Sequence, residues 1–195
     1  MICHIIGNGH SRDLFESHQS EEGFKICLNL HSYDCDLLLA VDDPAIDYLL
    51  ERDFYGKNVV ISDHRELEHE KIVGRIKRFR KGIPYDIHGL NPKYASFNVG
   101  HCAYRYARRE GYEEIHLWGF DLFFDRTLIS LSDPIFGHTV EDKTQPNLIR
   151  RMEKYRQIWE HMIDVPTFVH MPVKEKLKGP IDKNKHVKGI NHGSW

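Results

Sequence analysis

The sequence has no long apolar run, no paired-cysteine motif and little net charge, and each absence excludes a class of protein. No stretch approaches the roughly 20 apolar residues of a membrane-spanning helix. The opening apolar run is short and lacks a basic flank, so we expect neither a membrane protein nor a signal peptide. A formal net charge of −2 offers none of the excess positive charge that favours nucleic-acid binding.

Cysteine and histidine give no sign of a metal site. The four cysteines show no C-x-x-C spacing and mostly stand in or beside apolar runs, which predicts buried, reduced thiols and a cytoplasmic protein. Histidine is abundant, at 14 of 195 residues, but pairs such as His64 and His69, or His186 and His192, lie in polar segments without convincing ligand spacing. We expect these histidines to be solvated or to cap helices.

Apolar runs alternate with amphipathic stretches, which is typical of an α/β protein. Strands are predicted at residues 1–6, 24–30, 36–41, 58–62, 114–119 and 167–170, and helices at 45–50, 94–109 and 147–163. The runs at 37–41 and 115–118 are nearly continuous, which indicates strands covered on both faces. The sequence therefore predicts a single Rossmann-like, doubly wound, mainly parallel sheet over residues 1–172, followed by a polar tail, 173–195. We expect the tail to dock on its own domain or on a neighbouring subunit.

The first predicted strand ends in a glycine turn, Gly7-Asn8-Gly9-His10-Ser11. A strand followed by glycines and a helix lets the backbone approach an anion, and the helix offers unpaired N–H groups. Position 12 is arginine, so the pattern is not the G-x-G-x-x-G of nicotinamide-binding proteins. The turn predicts either a phosphate site or a plain sharp connection.

Other predicted strands and helices also place polar or small residues next to this edge. Parallel strands end at one edge of a sheet, where ligands of such folds bind. We therefore expect a common site built from residues of several segments: Gly7, Asn8, Gly9, Ser11, Asn29, Asp43, Gly100 and Asp121.

Three of these motifs resemble a known family. Gly7-Asn8-Gly9-x-Ser11, Asn29 after a strand, and the segment from Gly111 through Gly119-x-Asp121 are similar to bacterial sialyltransferases that use CMP-sialic acid. They also resemble a broader Rossmann-like group related to 6-hydroxymethylpterin diphosphokinases. The resemblance covers residues 1–170 and implies a transferase that binds a nucleotide or nucleotide-sugar.

The resemblance implies roles for individual residues. Asn8 and Ser11 match residues near the donor phosphate, Asn29 matches an asparagine that contacts the donor, Asp43 matches a donor-site position, and Gly100 matches a glycine that admits the nucleotide.

The resemblance also implies a catalytic histidine. His138, in Phe136-Gly137-His138-Thr139, matches the general base that removes a proton from the acceptor hydroxyl. The sequence departs from the family at Val99, where a serine is usual, and at Phe123 and Phe124, where tyrosines grip the phosphate.

Two other functions stay open. Asp42, Asp43 and Asp121 would hold Mg²⁺ in a diphosphotransferase of the pterin kinase type, whereas sialyl transfer needs no metal. The fold would equally serve as a non-catalytic structural or assembly protein, for example of a phage particle, located in the host cytoplasm or the virion. The basic segment 75–81 is expected to be either a solvated helix face or a contact for an anionic partner.

Overall fold

All described strands belong to one parallel sheet. The computed structural model describes residues 1–76, 98–125, 129–139 and 146–193. The strands are β1 (Ile2–Ile6), β2 (Phe24–Leu28), β3 (Leu37–Ala40), β4 (Asn58–Ser62), β5 (Ile72–Ile76), β6 (Glu114–Trp118), β7 (Thr167–Pro172) and β8 (Val187–His192). Their order is β5-β4-β3-β2-β1-β6-β7-β8, and every neighbouring pair is parallel. The predicted α/β, doubly wound class is confirmed.

Helices connect the strands, and several are short 3₁₀ helices. The α-helices described are α1 (Asp43–Leu50), α2 (Val99–Arg109) and α3 (Pro146–Met162). The 3₁₀ helices described are His10–His18, Asp53–Gly56, Asp121–Phe123, Asp133–Phe136 and Gly179–Lys183. Among the described residues, no helix is both long and apolar enough to cross a membrane.

The central strands are covered on both faces, as their continuous apolar runs predict. One face packs against α2 and α3 in a core that includes Tyr104 and Trp159. The other face packs against α1 and the 3₁₀ helix His10–His18 in a core that includes Phe15 and Trp118. All four cysteines are buried, as expected from their apolar surroundings, and they form no disulfide among the described residues.

Strand β1 lies inside the sheet, with later strands on both of its sides, and this strand order determines where a ligand site is expected. The chain runs from β1 through β2 to β5 on one side, then returns to place β6, β7 and β8 on the other. In such sheets a crevice forms at the carboxyl edge where the strand order reverses. Here that point lies between β1 and β6, and the loop that follows β2 lies on the other side of β1.

The tail docks on its own domain, one of the two expected arrangements, but it does so as a strand that was not predicted. Residues 187–192 form β8, which pairs with β7 from Thr167↔Val187 to Pro172↔His192, so the sheet continues across the predicted boundary at residue 172. The strand was missed because an edge strand with polar residues lacks the apolar run of a central strand. Strand β5, Ile-Val-Gly-Arg-Ile, was missed although three of its five residues are apolar, because it lies within a segment rich in charged residues.

Two predicted helices also differ. The segment after the glycine turn is a 3₁₀ helix rather than an α-helix. Helix α2 is described from Val99, with the Asn98 side chain accepting a hydrogen bond from the His101 N–H at 3.0 Å. The predicted helical start at 94–97 and most of the basic segment, 77–81, lie outside the described residues.

Candidate functional site at the carboxyl edge of the sheet

The glycine turn after β1 packs directly on the turn after β6. The Gly7 N–H donates to the Trp118 carbonyl at 2.7 Å, and the Gly9 N–H donates to the Gly119 carbonyl at 2.9 Å. A Cβ on Gly7 would lie 2.7 Å from the Gly119 oxygen, and one on Gly9 would lie 2.5 Å from the Asp121 carboxyl group. Both glycines are therefore needed for this close approach of two chain segments, whatever else binds nearby.

Asp121 places an internal anion at the start of the 3₁₀ helix. Its carboxylate accepts hydrogen bonds from the Ser11 N–H, with both oxygens at 3.3 Å, and from the Ser11 hydroxyl. Burial raises the pKa of this carboxyl group, and the Ser11 hydrogen bonds offset the increase only in part. The backbone N–H group of Ser11, predicted for a ligand phosphate, is thus paired within the chain.

Asn8 joins three segments at the same edge. Its side-chain amide donates to the Leu28 carbonyl at 2.5 Å, and its Oδ1 accepts from the Arg12 Nη1 at 3.2 Å. Its backbone carbonyl accepts from the Leu131 N–H at 2.7 Å. Asn8 is buried, so these bonds hold the loop after β2, the arginine and the segment around residue 131 together.

Two buried polar atoms next to Asn8 have no hydrogen-bond partner within the described part of the chain. One is Oδ1 of Asn29, a residue that is 5% exposed and adopts a positive φ of 59° directly after β2. The other is Nε of Arg12, which lies 3.9 Å from Asp13 Oδ1, beyond hydrogen-bond distance. An unpaired buried polar group costs about 1–3 kcal/mol, so such groups are uncommon unless a ligand or water binds there. The two atoms offer one acceptor and one cationic donor.

Asp43 lies apart from this cluster. It follows β3, which is three strand spacings from β6, or roughly 14 Å from the Asp121 turn along the sheet edge. Its carboxylate accepts from His64 Nε2 at 3.1 Å and from Arg65 Nη1 at 3.2 Å. Partial burial raises the pKa of Asp43, but hydrogen bonds from His64 and Arg65 outweigh that effect and hold it below its usual value.

His64 also contacts Ser62, which produces a serine–histidine–aspartate series. The Ser62 hydroxyl lies 2.6 Å from His64 Nδ1. The series resembles a hydrolase relay, but Ser62 is fully buried and its oxygen cannot reach a substrate. Its role is to fix the His64 ring against Asp43.

The three aspartates predicted for Mg²⁺ do not converge. Asp42 is the residue that precedes α1, Asp43 is paired with His64 and Arg65, and Asp121 is paired with Ser11. Among the described residues, no group of three or more histidine, cysteine, aspartate or glutamate side chains is arranged to hold a metal ion.

Gly100 packs against the turn after β6 through Phe120. A Cβ at this position would lie 2.7 Å from the Phe120 ring. The close approach that requires glycine here is therefore to protein. Phe123 and Phe124, which stand where the resemblance implies tyrosines, are both buried in the core.

His138 follows the 3₁₀ helix Asp133–Phe136 and has an acidic neighbour. Its Nδ1 lies 3.8 Å from Asp133 Oδ1, and its N–H donates to the Asp133 carbonyl at 3.1 Å. The Asp133 carboxylate also accepts from the Ser130 N–H at 2.8 Å. The histidine side chain is 48% exposed, so a substrate could reach its ring, and the Asp133 carboxylate lies on its Nδ1 side.

Two residues of this edge were missed from the sequence. In the sequence Arg12 is prominent only because it breaks the glycine pattern. An arginine one residue after a candidate phosphate-binding turn is nevertheless itself an indication of a phosphate site. Asp133 lies five residues before His138, and only the 3₁₀ turn between them brings the two side chains together.

Comparisons with known proteins identify no family. No family model, no curated protein and no solved structure matches the chain.

Proposed function

We propose that the protein binds a nucleotide or a CMP-type nucleotide-sugar at the carboxyl edge beside β1, and acts as a glycosyltransferase-like transferase. The observation that supports this most is a pair of buried atoms, Arg12 Nε and Asn29 Oδ1, that have no hydrogen-bond partner among the described residues and lie beside the point where the strand order reverses.

Each of the two atoms would bind a different part of such a ligand. The Arg12 guanidinium donates a hydrogen bond to Asn8 Oδ1, which fixes its position. It would pair with a phosphate oxygen, because a guanidinium is always charged and its planar N–H groups match the geometry of phosphate oxygens. The Asn29 oxygen would accept a hydrogen bond from an amino or hydroxyl group of the nucleoside. In this arrangement the arginine replaces the turn N–H groups that Gly119 and Asp121 already occupy.

His138 is the proposed general base. It would take the proton of an acceptor hydroxyl while that oxygen attacks the anomeric carbon of the donor sugar. The bond from this carbon to the phosphate oxygen breaks, and the nucleotide leaves with the electron pair, stabilised by Arg12. Asp133 would orient the imidazole and stabilise its positive charge. The scheme requires no metal.

Thermal shift with a panel of nucleotides tests the binding step. The full chain is heated with CMP, CDP, UDP, GDP or ATP, each with and without Mg²⁺, since a ligand of the native state raises Tm by mass action. We expect CMP to raise Tm without Mg²⁺. A shift that requires both ATP and Mg²⁺ would contradict the proposal in favour of the diphosphotransferase. No shift with any nucleotide would contradict nucleotide binding altogether.

Arginine variants locate the binding step. Arg12→Gln should abolish the CMP shift, because the cationic donor is lost. Arg52→Gln is the matched control, since the Arg52 guanidinium lies over the Tyr48 ring, 3.7 Å from its centroid, away from the site. An unchanged CMP shift in Arg12→Gln would mean that the phosphate binds elsewhere.

Catalysis is tested by the release of CMP from a CMP-sugar. His138→Ala should lose turnover and keep the CMP-induced shift, because the imidazole acts on the acceptor rather than the nucleotide. Turnover that survives this change would exclude His138 as the base.

A second function has one observation in its favour. The N–H groups of Gly7, Gly9 and Ser11 are all paired within the chain, as in a turn with a purely structural role. A structural or assembly protein would show this turn without nucleotide binding, which is the outcome of the panel that overturns our proposal.

A further inference from the structure

Histidines line one face of the sheet at its β8 side. His4, His116, His170 and His192 lie on the four neighbouring strands β1, β6, β7 and β8, and their rings make a series of contacts. The Trp118 ring stacks on His170 with centroids 3.4 Å apart and an interplanar angle of 11°.

The 3₁₀ helix His10–His18 adds a fifth histidine. The His18 ring lies edge-on to His192, 4.8 Å between centroids, and its Nδ1–H donates to the Leu14 carbonyl at 2.8 Å.

Strand register arranges three of these imidazoles on a diagonal. His116 pairs with Phe168, so His170 lies two residues further along β7. His170 in turn pairs with Ile190, so His192 lies two residues further along β8. The same alternation of side chains keeps all three rings on one face.

Hydrogen bonds link these three imidazoles in series, and we call the three the histidine chain. The Glu114 carboxylate can only accept, so His116 Nε2 donates to it at 3.0 Å, and Nδ1 of a neutral His116 is then an acceptor. When His116 is neutral, His170 Nε2 donates to His116 Nδ1 at 2.9 Å, and His192 Nε2 donates to His170 Nδ1 at 2.7 Å. In this arrangement His170 carries its proton on Nε2 and accepts at Nδ1.

His170 cannot be protonated without breaking this chain, because its Nδ1 accepts the bond that holds His192 on β8. The geometry points to a proton-sensitive clasp: we propose that these imidazoles hold β8 on β7 while neutral, and that proton uptake releases the strand below about pH 6.

Charged and titratable groups surround the clasp from each element packed against it. They are His4 on β1, Lys25 on β2, His116 and Glu114 on β6, His18 and Glu21 on and just after the 3₁₀ helix, and Lys188 on β8. Burial and, to a lesser extent, the neighbouring His116, His192, His18 and His4 together lower the pKa of His170 to about 2. Burial and His18 also lower the pKa of His192, while Glu21 opposes this effect.

Release of β8 restores ordinary titration. Once β8 separates, His170 and His192 return to water, where the pKa of histidine is about 6.5. The open state therefore binds more protons than the closed one, and opening becomes about tenfold more favourable per pH unit for each extra proton.

Hydrogen exchange of the full chain tests the clasp. The opening constant of the β8 amides is measured from about pH 7.5 to about pH 5, after correction for the intrinsic exchange rate. We expect a rise of at least tenfold for β8 and none for β4, which is buried at the other side of the sheet. A β8 opening constant that does not change across this range would overturn the proposal.

A variant and an independent spectrum identify the groups responsible. His192→Gln keeps a side-chain N–H donor and cannot bind the proton, so its rise should be about tenfold smaller. The exposed His161→Gln is the control and should match the unchanged chain. An equal rise in His192→Gln would exclude the clasp. Imidazole ¹⁵N NMR of the unchanged chain near neutral pH should show His116, His170 and His192 protonated on Nε2, and protonation of His170 on Nδ1 would exclude the direction of hydrogen bonding on which the clasp depends.

Discussion

The Asp121 carboxylate accepts hydrogen bonds from the backbone N–H and the hydroxyl of Ser11, so the chain supplies its own anion to the turn after β1. This pairing decides which groups remain for a ligand. Because the neighbouring Gly9 N–H is bonded to the Gly119 carbonyl, a ligand phosphate needs a side-chain partner, and Arg12 Nε is a donor without a hydrogen bond to any described residue.

Removal of the internal anion should be reversible by a small carboxylate. Asp121→Ala leaves the Ser11 N–H and hydroxyl unpaired and should lower the free energy of unfolding by about 1–3 kcal/mol. Formate, which reproduces the lost carboxylate, should restore part of this stability in urea denaturation, and chloride at equal ionic strength should not. Equal effects of formate on Asp121→Ala and on the unchanged chain would contradict an anion site at this turn.

The second turn glycine should tolerate no side chain. Gly9→Ala would place a Cβ 2.5 Å from the Asp121 carboxyl group and 2.7 Å from the Gly119 oxygen. We expect a loss of about 1–3 kcal/mol in the free energy of unfolding, as for other overpacked sites. Gly193→Ala is the control, because a Cβ there meets nothing within 4 Å. Similar stability of the two variants would show that the turns are not in close contact.

Two substitutions of Asn29 separate its backbone from its side chain. Because φ is 59°, Asn29→Gly should retain stability, whereas Asn29→Ala should lose about 1–2 kcal/mol. Both remove the Oδ1 acceptor, so both should weaken the CMP-induced rise in Tm. A full CMP shift in the stable Asn29→Gly protein would remove Asn29 from the site.

His101 should contribute to acid sensitivity. Burial lowers its pKa to about 3, so the unfolded chain binds a proton below about pH 6.5 that the folded chain does not. Its contribution to the free energy of unfolding is therefore complete above about pH 6.5 and falls by about 1.4 kcal/mol per pH unit as the pH drops towards 3.

Urea denaturation as a function of pH measures this contribution. His101→Gln should show a pH slope smaller by one proton between about pH 6 and pH 4. His161→Gln should keep the original slope, because this histidine is exposed. A slope that is the same in all three proteins would mean that His101 is protonated in the folded state.

The sequence predicted those strands and helices that have a clear pattern of apolar residues. Continuous apolar runs identified β3 and β6, and these strands established the parallel sheet. The edge strand β8 carries polar side chains and gave no such signal, although its backbone pairs with β7 over six residues.

Contacts between distant segments could not be predicted in the same way. Gly9 and Asp121 are in contact although more than 100 residues separate them in the sequence. A glycine at position 9 would be required whether a ligand phosphate or the Asp121 carboxylate lies next to it, so the sequence alone does not distinguish the two. The histidine chain is built from alternate residues of separate strands, so each histidine reads as an isolated residue until the register is known.

NMR titration of the full chain with CMP in the absence of Mg²⁺ tests nucleotide binding at this edge most directly, with the Arg12 Nε–H and the Asn29 side-chain amide as probes. The account predicts saturable shifts of both signals, while the Arg52 Nε–H remains in place. Unchanged Arg12 and Asn29 signals at saturating CMP, or shifts confined to the distant Arg65 and His64, would contradict it.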